Sequence, residues 1–304
     1  MSVLIDPPLW PAHGTTFSHL VSDASLEELH AFARAAGLPD RAFDRDHYDV
    51  PARRHAELVE AGAESVSATE LTRRLIAGGL RVPARERPDR HDAWLRRDFD
   101  RLVPGSGGLI DDLLGRWAGP ERHYHDRRHL AQVLRGLDWL GAREAESSAH
   151  AAATPADARS ARLAAWWHDA VYDGVAGADE AASASLAAEQ LGRFEANGTV
   201  RRVEELILMT AHHEPQDAAA ALLSDADLRV LARPEASYRR YVDDVRRDYA
   251  HVSDADFAAG RAAVLRALLG RDRLYATRAG HEAWEAAARA NLEAELLGLE
   301  QHLG

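Results

Sequence analysis

A histidine and an aspartate stand side by side inside an apolar run, Leu163-Ala164-Ala165-Trp166-Trp167-His168-Asp169-Ala170-Val171-Tyr172-Asp173. Burying an imidazole and a carboxylate in such surroundings costs several kcal/mol unless each is paired. A divalent metal ion would pair both at once. Neighbouring side chains on a helix point ~100° apart, so the two can still converge on one ion from one wall of a pocket. Other ligands must then come from elsewhere, and candidates lie on both sides: His129 upstream, and His212, His213, Asp225 and Asp227 downstream.

His125 and His129 are four residues apart and share a face if their segment is helical. Asp126 suits the first turn of that helix, where a carboxylate meets the positive end of the dipole. Alone, these histidines read as solvent-facing. In company, His129, His168, Asp169 and Asp227 supply two imidazoles and two carboxylates, a set suited to Mn, Mg, Fe, Co, Ni or Zn ions. Asp225 and Asp227 lie two apart, ~200° round a helix, so only one is expected to reach an ion. Asp225 has the plain alternative of capping the start of its helix.

The chain of 304 residues contains no Cys and no Lys. Thiol nucleophiles, disulfides, iron–sulfur clusters and thiolate zinc sites are therefore excluded. So are Schiff-base chemistry and a phosphate-binding lysine loop. A phosphate clamp must use Arg, backbone N–H groups or a metal. A net charge of −12 disfavours extended nucleic acid as a partner. A small anionic substrate stays open, because a metal and a few Arg can reverse the local field. No segment approaches the ~20 unbroken apolar residues of a membrane span. Met1 to Asp6 lacks the basic and apolar regions of a signal peptide, so the expected location is cytoplasmic.

These residues need elements to position them, and the pattern predicts a mainly α protein preceded by a small α/β domain. Residues 1–84 form the α/β domain, 85–92 a polar, Pro-bearing linker, and 93–304 an all-helical bundle. In the first part, Val3-Leu4-Ile5 and Glu64–Ser67 are strand candidates. A helix opens at Ser25 with a capping box to Glu28 and stops at Gly37. Another runs over Thr69–Ala77 with Leu71, Leu75 and Ile76 on one face, ended by Gly78-Gly79. In the second part, helices are expected near 93–103, 109–117, 124–140, 159–173, 179–195, 199–213, 235–251 and 254–269. A last helix carries Trp284, Ala288, Leu292, Leu296, Leu299 and Leu303. Residues 141–160, rich in Ala, Ser and Glu, read as a loop.

Five segments in order resemble the HD superfamily of metal-dependent phosphohydrolases, over most of residues 93–304. They are Tyr124-His125-Asp126-Arg127-Arg128-His129, Trp167-His168-Asp169-Ala170-Val171-Tyr172-Asp173, Asp179-Glu180-Ala181-Ala182-Ser183-Ala184, Thr210-Ala211-His212-His213 and Asp225-Ala226-Asp227-Leu228. The resemblance implies an all-helical fold, a divalent metal held by His129, His168, Asp169 and Asp227, and hydrolysis of a small phosphorylated molecule such as a nucleotide. Asp169 would both bind the ion and orient its water. His212 and His213 would hold a second metal, touch substrate or support the ligands, or be structural. Arg122, Arg128, Arg246 and Arg261 are the expected phosphate-facing cations, with Glu180 a supporting carboxylate or a helix-start charge. A di-iron oxygenase on the same scaffold and a non-catalytic nucleotide sensor are the competing expectations. A homodimer has enough apolar surface, without coiled-coil heptads to argue for it.

Residues 1–84 resemble a small bacterial domain family without an assigned function, over nearly their whole length, so no mechanism follows from the likeness. His13, His19, Asp23, His30, Asp46 and His47 form polar clusters there. They can make a second site for a metal or nucleotide, or simply be turn chemistry.

Overall fold

The computed structural model describes residues 2–12, 14–81, 88–145, 153–175 and 177–303. The chain is 64% helical with a small sheet at its start. It divides into residues 1–84 with 235–240, and residues 85–234 with 241–304. Among the described residues, no helix is long and apolar enough to cross a membrane.

In the first unit, β1 (Val3–Ile5) is buried on both faces, which suits an unbroken Val-Leu-Ile run. The sheet order is β4 (Phe43–Asp44), β5 (His47–Pro51), β3 (Thr15–Ser22), β1 and β6 (Glu64–Ser65), with β2 (Trp10–Ala12) also paired to β3. Only the β1–β6 pair is parallel among the described strands. Val3, Ile5, Leu20, Tyr48 and Val50 share a core with Leu29 and Ala33 of α1 (Leu26–Ala35) and Leu58 of α2 (His55–Glu60). Leu4 and Val21 pack instead on Leu71 and Leu75 of α3 (Ala68–Ala77). Side chains alternate along a strand, so Asp6, His19, His47 and Asp49 share the face of Leu4 and Val21.

Two local expectations need correction here. The Ser25 hydroxyl accepts from the Glu28 N–H at 3.1 Å, as an N-cap should. Glu28, however, does not close a capping box; its carboxylate takes the Ser22 hydroxyl. Ile76 does not join the buried face of α3 but is 59% exposed.

The second unit is built from α4 (Pro88–Leu102), α5 (Leu109–Arg116), α6 (Arg127–Ala145), α7 (Pro155–Trp167), α8 (Ala178–Leu191), α9 (Asn197–Met209), α10 (Ala218–Leu228), the part of α11 (Glu235–Asp248) from Tyr241 onward, α12 (Asp254–Leu269) and α13 (Arg278–Leu303). Residues 88–92, expected in the linker, are already helix, because Pro lacks only an N–H that a first turn leaves unused. Residues 141–145 and 155–160, expected in a loop, belong to α6 and α7. Thr154 and Asp157 form a reciprocal capping box with Pro155 at the first position, a start signal hidden in the Ala-rich background. The helix α10 escapes periodicity because its Ala-rich sequence is buried nearly all round.

The helix α7 packs against α6, α8, α9 and α10. Its indoles fix it: the Trp117 Nε1–H donates to the Trp166 carbonyl at 3.0 Å, and the Trp167 Nε1–H to Gln190 Oε1 at 2.8 Å. The helices α6 and α10 approach closely at Gly136, where an added Cβ would lie 3.1 Å from the Ala226 Cβ.

Asp225 is not the N-cap of its helix. Asp217 takes that role, accepting from the Ala220 N–H at 3.0 Å. Asp225 is fully buried near the other end of α10. It accepts from the Ala276 and Thr277 N–H groups at 2.8 Å each and from the Thr277 hydroxyl at 2.6 Å, tying down the entry to α13. Asp225→Ala leaves three donors without an acceptor. Thermal unfolding should register a loss of about 2–3 kcal/mol, a fall in Tm of roughly 5–10 °C. An unchanged Tm would contradict this anchoring role.

Candidate metal centre

Three helix ends bring the His-Asp pair and its partners together. His129 stands in the first turn of α6, which begins at Arg127 because Asp126 caps it, accepting from the Arg128 and His129 N–H groups. His168 and Asp169 do not lie within a helix as the apolar run suggests; α7 ends at Trp167, and the pair occupies the turn that follows. Asp227 lies in the last turn of α10.

His129 Nε2 lies 3.1 Å from His168 Nε2. Asp227 Oδ1 is 3.1 Å from His129 Nε2 and 3.7 Å from His168 Nε2. Asp169 Oδ2 is 3.6 Å and 3.2 Å from the same two nitrogens. A divalent ion with ligands at about 2.0–2.2 Å puts neighbouring ligand atoms roughly 3–3.5 Å apart. His129, His168 and Asp169 place ligand atoms within 4.8 Å of one another, and the Asp227 spacings to the two imidazole nitrogens are of the size of a polyhedron edge. His168 donates its Nδ1–H to the Ala165 carbonyl at 3.0 Å. A carbonyl only accepts, so a neutral His168 has a bare Nε2 facing inward. The imidazoles are 1–2% exposed and the carboxylates 15–17%, which makes the histidines the rear wall and the aspartates the open side.

The imidazoles and carboxylates also compensate one another's charge. Burial pulls the His168 imidazole down, but Asp169 and Asp227 outweigh it and hold it well above its ordinary value. His129 is raised by the same two carboxylates against its burial. Burial pushes Asp169 and Asp227 up, yet the facing imidazoles hold both well below the usual carboxylate range. Two protonated imidazoles would aim N–H groups at each other across 3.1 Å. A single cation between the nitrogens satisfies all four groups without that clash.

A cleft of about 470 Å³ opens over Asp227, with Tyr124, His125, His212, His213, Arg261 and Arg271 among its walls. His213 has φ 50°, a left-handed conformation that is costly outside Gly. Arg271 holds it, donating to the carbonyls of His212 and His213 at 2.5 and 2.8 Å. The turn sets His213 Nδ1 3.1 Å from the Ser224 hydroxyl and Nε2 3.5 Å from Asp227 Oδ2. Burial pulls the His213 pKa down, assisted by Arg271 and His168 against Asp227, so its ring stays neutral at pH 7. His212 is exposed at the cleft edge.

Four of the expected substrate-facing residues have other work. Arg122 donates to the carbonyls of His125, Asp169 and Ala170 at 3.0, 2.7 and 3.3 Å, stapling the turn that carries the pair. Arg128 is held by Asp126, Asp244 and the His123 carbonyl. Arg246 is bound to Asp254 and to the carbonyls of Tyr249 and Val252. Glu180 accepts from the Gly177 N–H at 2.6 Å, capping α8. Arg261 does line the cleft, but it is paired with both oxygens of Glu295 at 2.7 and 3.0 Å.

Sequence reasoning missed four positioning residues. Asp179 accepts from the N–H groups of Asp173, Gly174 and Val175 at 2.8–3.0 Å, and Ser183 bonds both backbone groups of Val171. Asp248 accepts from the His125 N–H and, at 2.9 Å, from its Nδ1; His125 then stacks on Tyr172 with ring centroids 4.1 Å apart. Arg271, one Arg among 37 basic residues, carries no local signal. Asp179 and Ser183 stand in the segment whose spacing drew attention only to Glu180.

In the first unit, Asp23 does not join the histidines; it is tied to the Ser2 N–H and to Arg74. His30 bonds the Tyr48 hydroxyl at 2.8 Å. His13 lies outside the described residues. His19, His47 and Asp46 do meet, joined by Asp6 and Asp49. Asp6 lies 3.0 Å from His19 Nδ1, Asp46 2.6 Å from His47 Nδ1, and Asp49 3.5 Å from His47 Nε2.

Residues 3–78 match the family model described as Protein of unknown function (DUF4031). No curated protein matches the chain.

Arg122→Ala should separate stapling from substrate contact. With three carbonyls losing a charged donor, a loss of about 2–3 kcal/mol is expected in thermal or denaturant unfolding. Full stability with substrate affinity lost would instead return Arg122 to the cleft.

Proposed function

We propose that the helical unit is an HD-type phosphohydrolase that uses one divalent ion to hydrolyse a phosphoester of a small molecule such as a nucleotide. The observation that carries this reading is the convergence of His129, His168, Asp169 and Asp227, with facing imidazole nitrogens 3.1 Å apart. When bound, a divalent ion supplies a water acidified toward neutral pH and a charge that polarises a phosphoryl oxygen. Asp169 and Asp227 face the open side, where they bind and orient. His213, neutral and 3.5 Å from Asp227 Oδ2, is placed to accept or return a proton beside the ligands. Arg271 is held by carbonyl oxygens, so its positive charge stays at the cleft wall for an anionic substrate. A cleft of about 470 Å³ suits a molecule of nucleotide size and no polymer. The rear wall is shielded from bulk water, His129 and His168 being 2% and 1% exposed with the Trp117 ring beside both.

The chain stripped with a chelator should not hydrolyse nucleoside monophosphates or a generic phosphoester, and Mn²⁺, Co²⁺ or Ni²⁺ should restore turnover. Losing several kcal/mol of charge stabilisation predicts that His168→Ala with Asp169→Ala lowers the rate by roughly 10³-fold. Arg271→Ala should raise KM more than it lowers kcat. Turnover that survives the double substitution would sink the reading.

The Asp227 carboxylate also supports a second reading, because its two oxygens face different histidines. A carboxylate so placed can bridge two ions, as a di-iron oxygenase requires. Two irons per chain by elemental analysis would favour that chemistry, and one non-redox ion would exclude it.

A further inference from the structure

We propose that the first unit carries a metal centre of its own, in which His19, His47 and Asp49 bind one divalent transition-metal ion on the sheet face, with Asp6 and Asp46 holding the two imidazoles in the ligating tautomer. Strand pairing makes the juxtaposition. His19 on β3 is directly opposite Asp49 on β5, and His47 is two residues from Asp49. All three side chains therefore leave the sheet on one side. Each offers a ligand atom within 4.8 Å of the others.

The supporting carboxylates identify what the imidazoles are held for. Asp6 and Asp46 have side chains 0% and 2% exposed, whereas Asp49 is 49% exposed. The two buried carboxylates take the Nδ1–H groups of His19 and His47, at 3.0 and 2.6 Å. Asp6 is itself fixed by the His19 backbone N–H at 2.6 Å and the Trp10 Nε1–H at 3.2 Å. With Nδ1 committed, Nε2 is the lone-pair nitrogen of each ring. A carboxylate on the far nitrogen is the usual support of a metal-binding histidine: it fixes tautomer and orientation and raises ligand basicity.

An ion-pair network built only for stability accounts for the inner pairs but not for the outer nitrogens. His47 is 7% exposed, and its Nε2 has Asp49 at 3.5 Å, outside good hydrogen-bond length. His19 and His47 meet edge-on with centroids 4.8 Å apart, and the half-exposed Trp10 ring lies 5.2 Å from His19 as a cover. Two imidazoles and one carboxylate suit Zn, Fe, Co or Ni, and three protein ligands leave a position open for water or substrate. The centre uses no residue of the helical unit and does not depend on the hydrolase reading.

Co²⁺ alone, followed by its visible d–d absorption and by metal content after equilibrium dialysis, tests the assignment on the full chain. The helical ligands are first removed by His168→Ala with Asp169→Ala, so that failure of either centre is distinguishable. That chain should still take up one equivalent of Co²⁺. Adding His47→Ala or Asp49→Ala should weaken uptake at least tenfold, and adding Asp46→Asn should weaken it by roughly 10–100-fold. If His47→Ala unfolds by circular dichroism, Asp49→Ala on the exposed side carries the test. No uptake by the helical-centre variant, or uptake indifferent to Asp49→Ala, overturns the proposal.

Discussion

Two imidazole nitrogens facing each other at 3.1 Å inside a helical bundle are the constraint around which the second unit is organised. Two such rings repel if both lone pairs or both N–H groups point inward, and with one N–H and one lone pair they share a hydrogen bond. Asp169 and Asp227 supply the compensating charge, and their own desolvation must be offset by the same imidazoles. Together the four side chains form one buried cluster in which each charge faces its opposite.

Holding the cage together is mostly backbone work. Helix termini and tight turns leave N–H and C=O groups that must be satisfied. Around the site, buried and half-buried charged side chains satisfy them. Asp126 caps α6, Arg122 takes the carbonyls after α7, Asp179 takes the N–H groups beyond them, and Asp225 fixes the entry to α13. Residues whose charge suggests substrate contact are thus used to aim other residues. The cleft walls mix polar and apolar side chains, with His213 strained into place by Arg271.

The sheet unit reaches a comparable arrangement by a different route. Alternation along β3 and β5 sends Leu20, Tyr48 and Val50 into one core, and His19, His47 and Asp49 to the other side. Beyond the end covered by Leu71 and Leu75, that side carries these histidines and carboxylates beside Trp10. Its inner carboxylates, Asp6 and Asp46, are as buried as core residues.

Much of this was legible in the chain. A His-Asp pair in a Trp-flanked apolar run has to be buried and therefore has to be paired, whatever surrounds it. The spacing of apolar residues marks α5, α12 and most of α13, and Gly37 and Gly79 mark helix ends because both adopt positive φ. Only the tertiary structure decided where the pair sits, in a turn rather than on a helix, because Arg122, from a distant segment, holds the carbonyls of Asp169 and Ala170. It also put Asp227, and not Asp225, beside the imidazoles. The two residues have equal local credentials, and what separates them is the close approach of α10 to α6 at Gly136, which carries Asp227 to His129 and turns Asp225 toward Thr277. A carboxylate's partner is a property of packing, and one-dimensional spacing does not encode it.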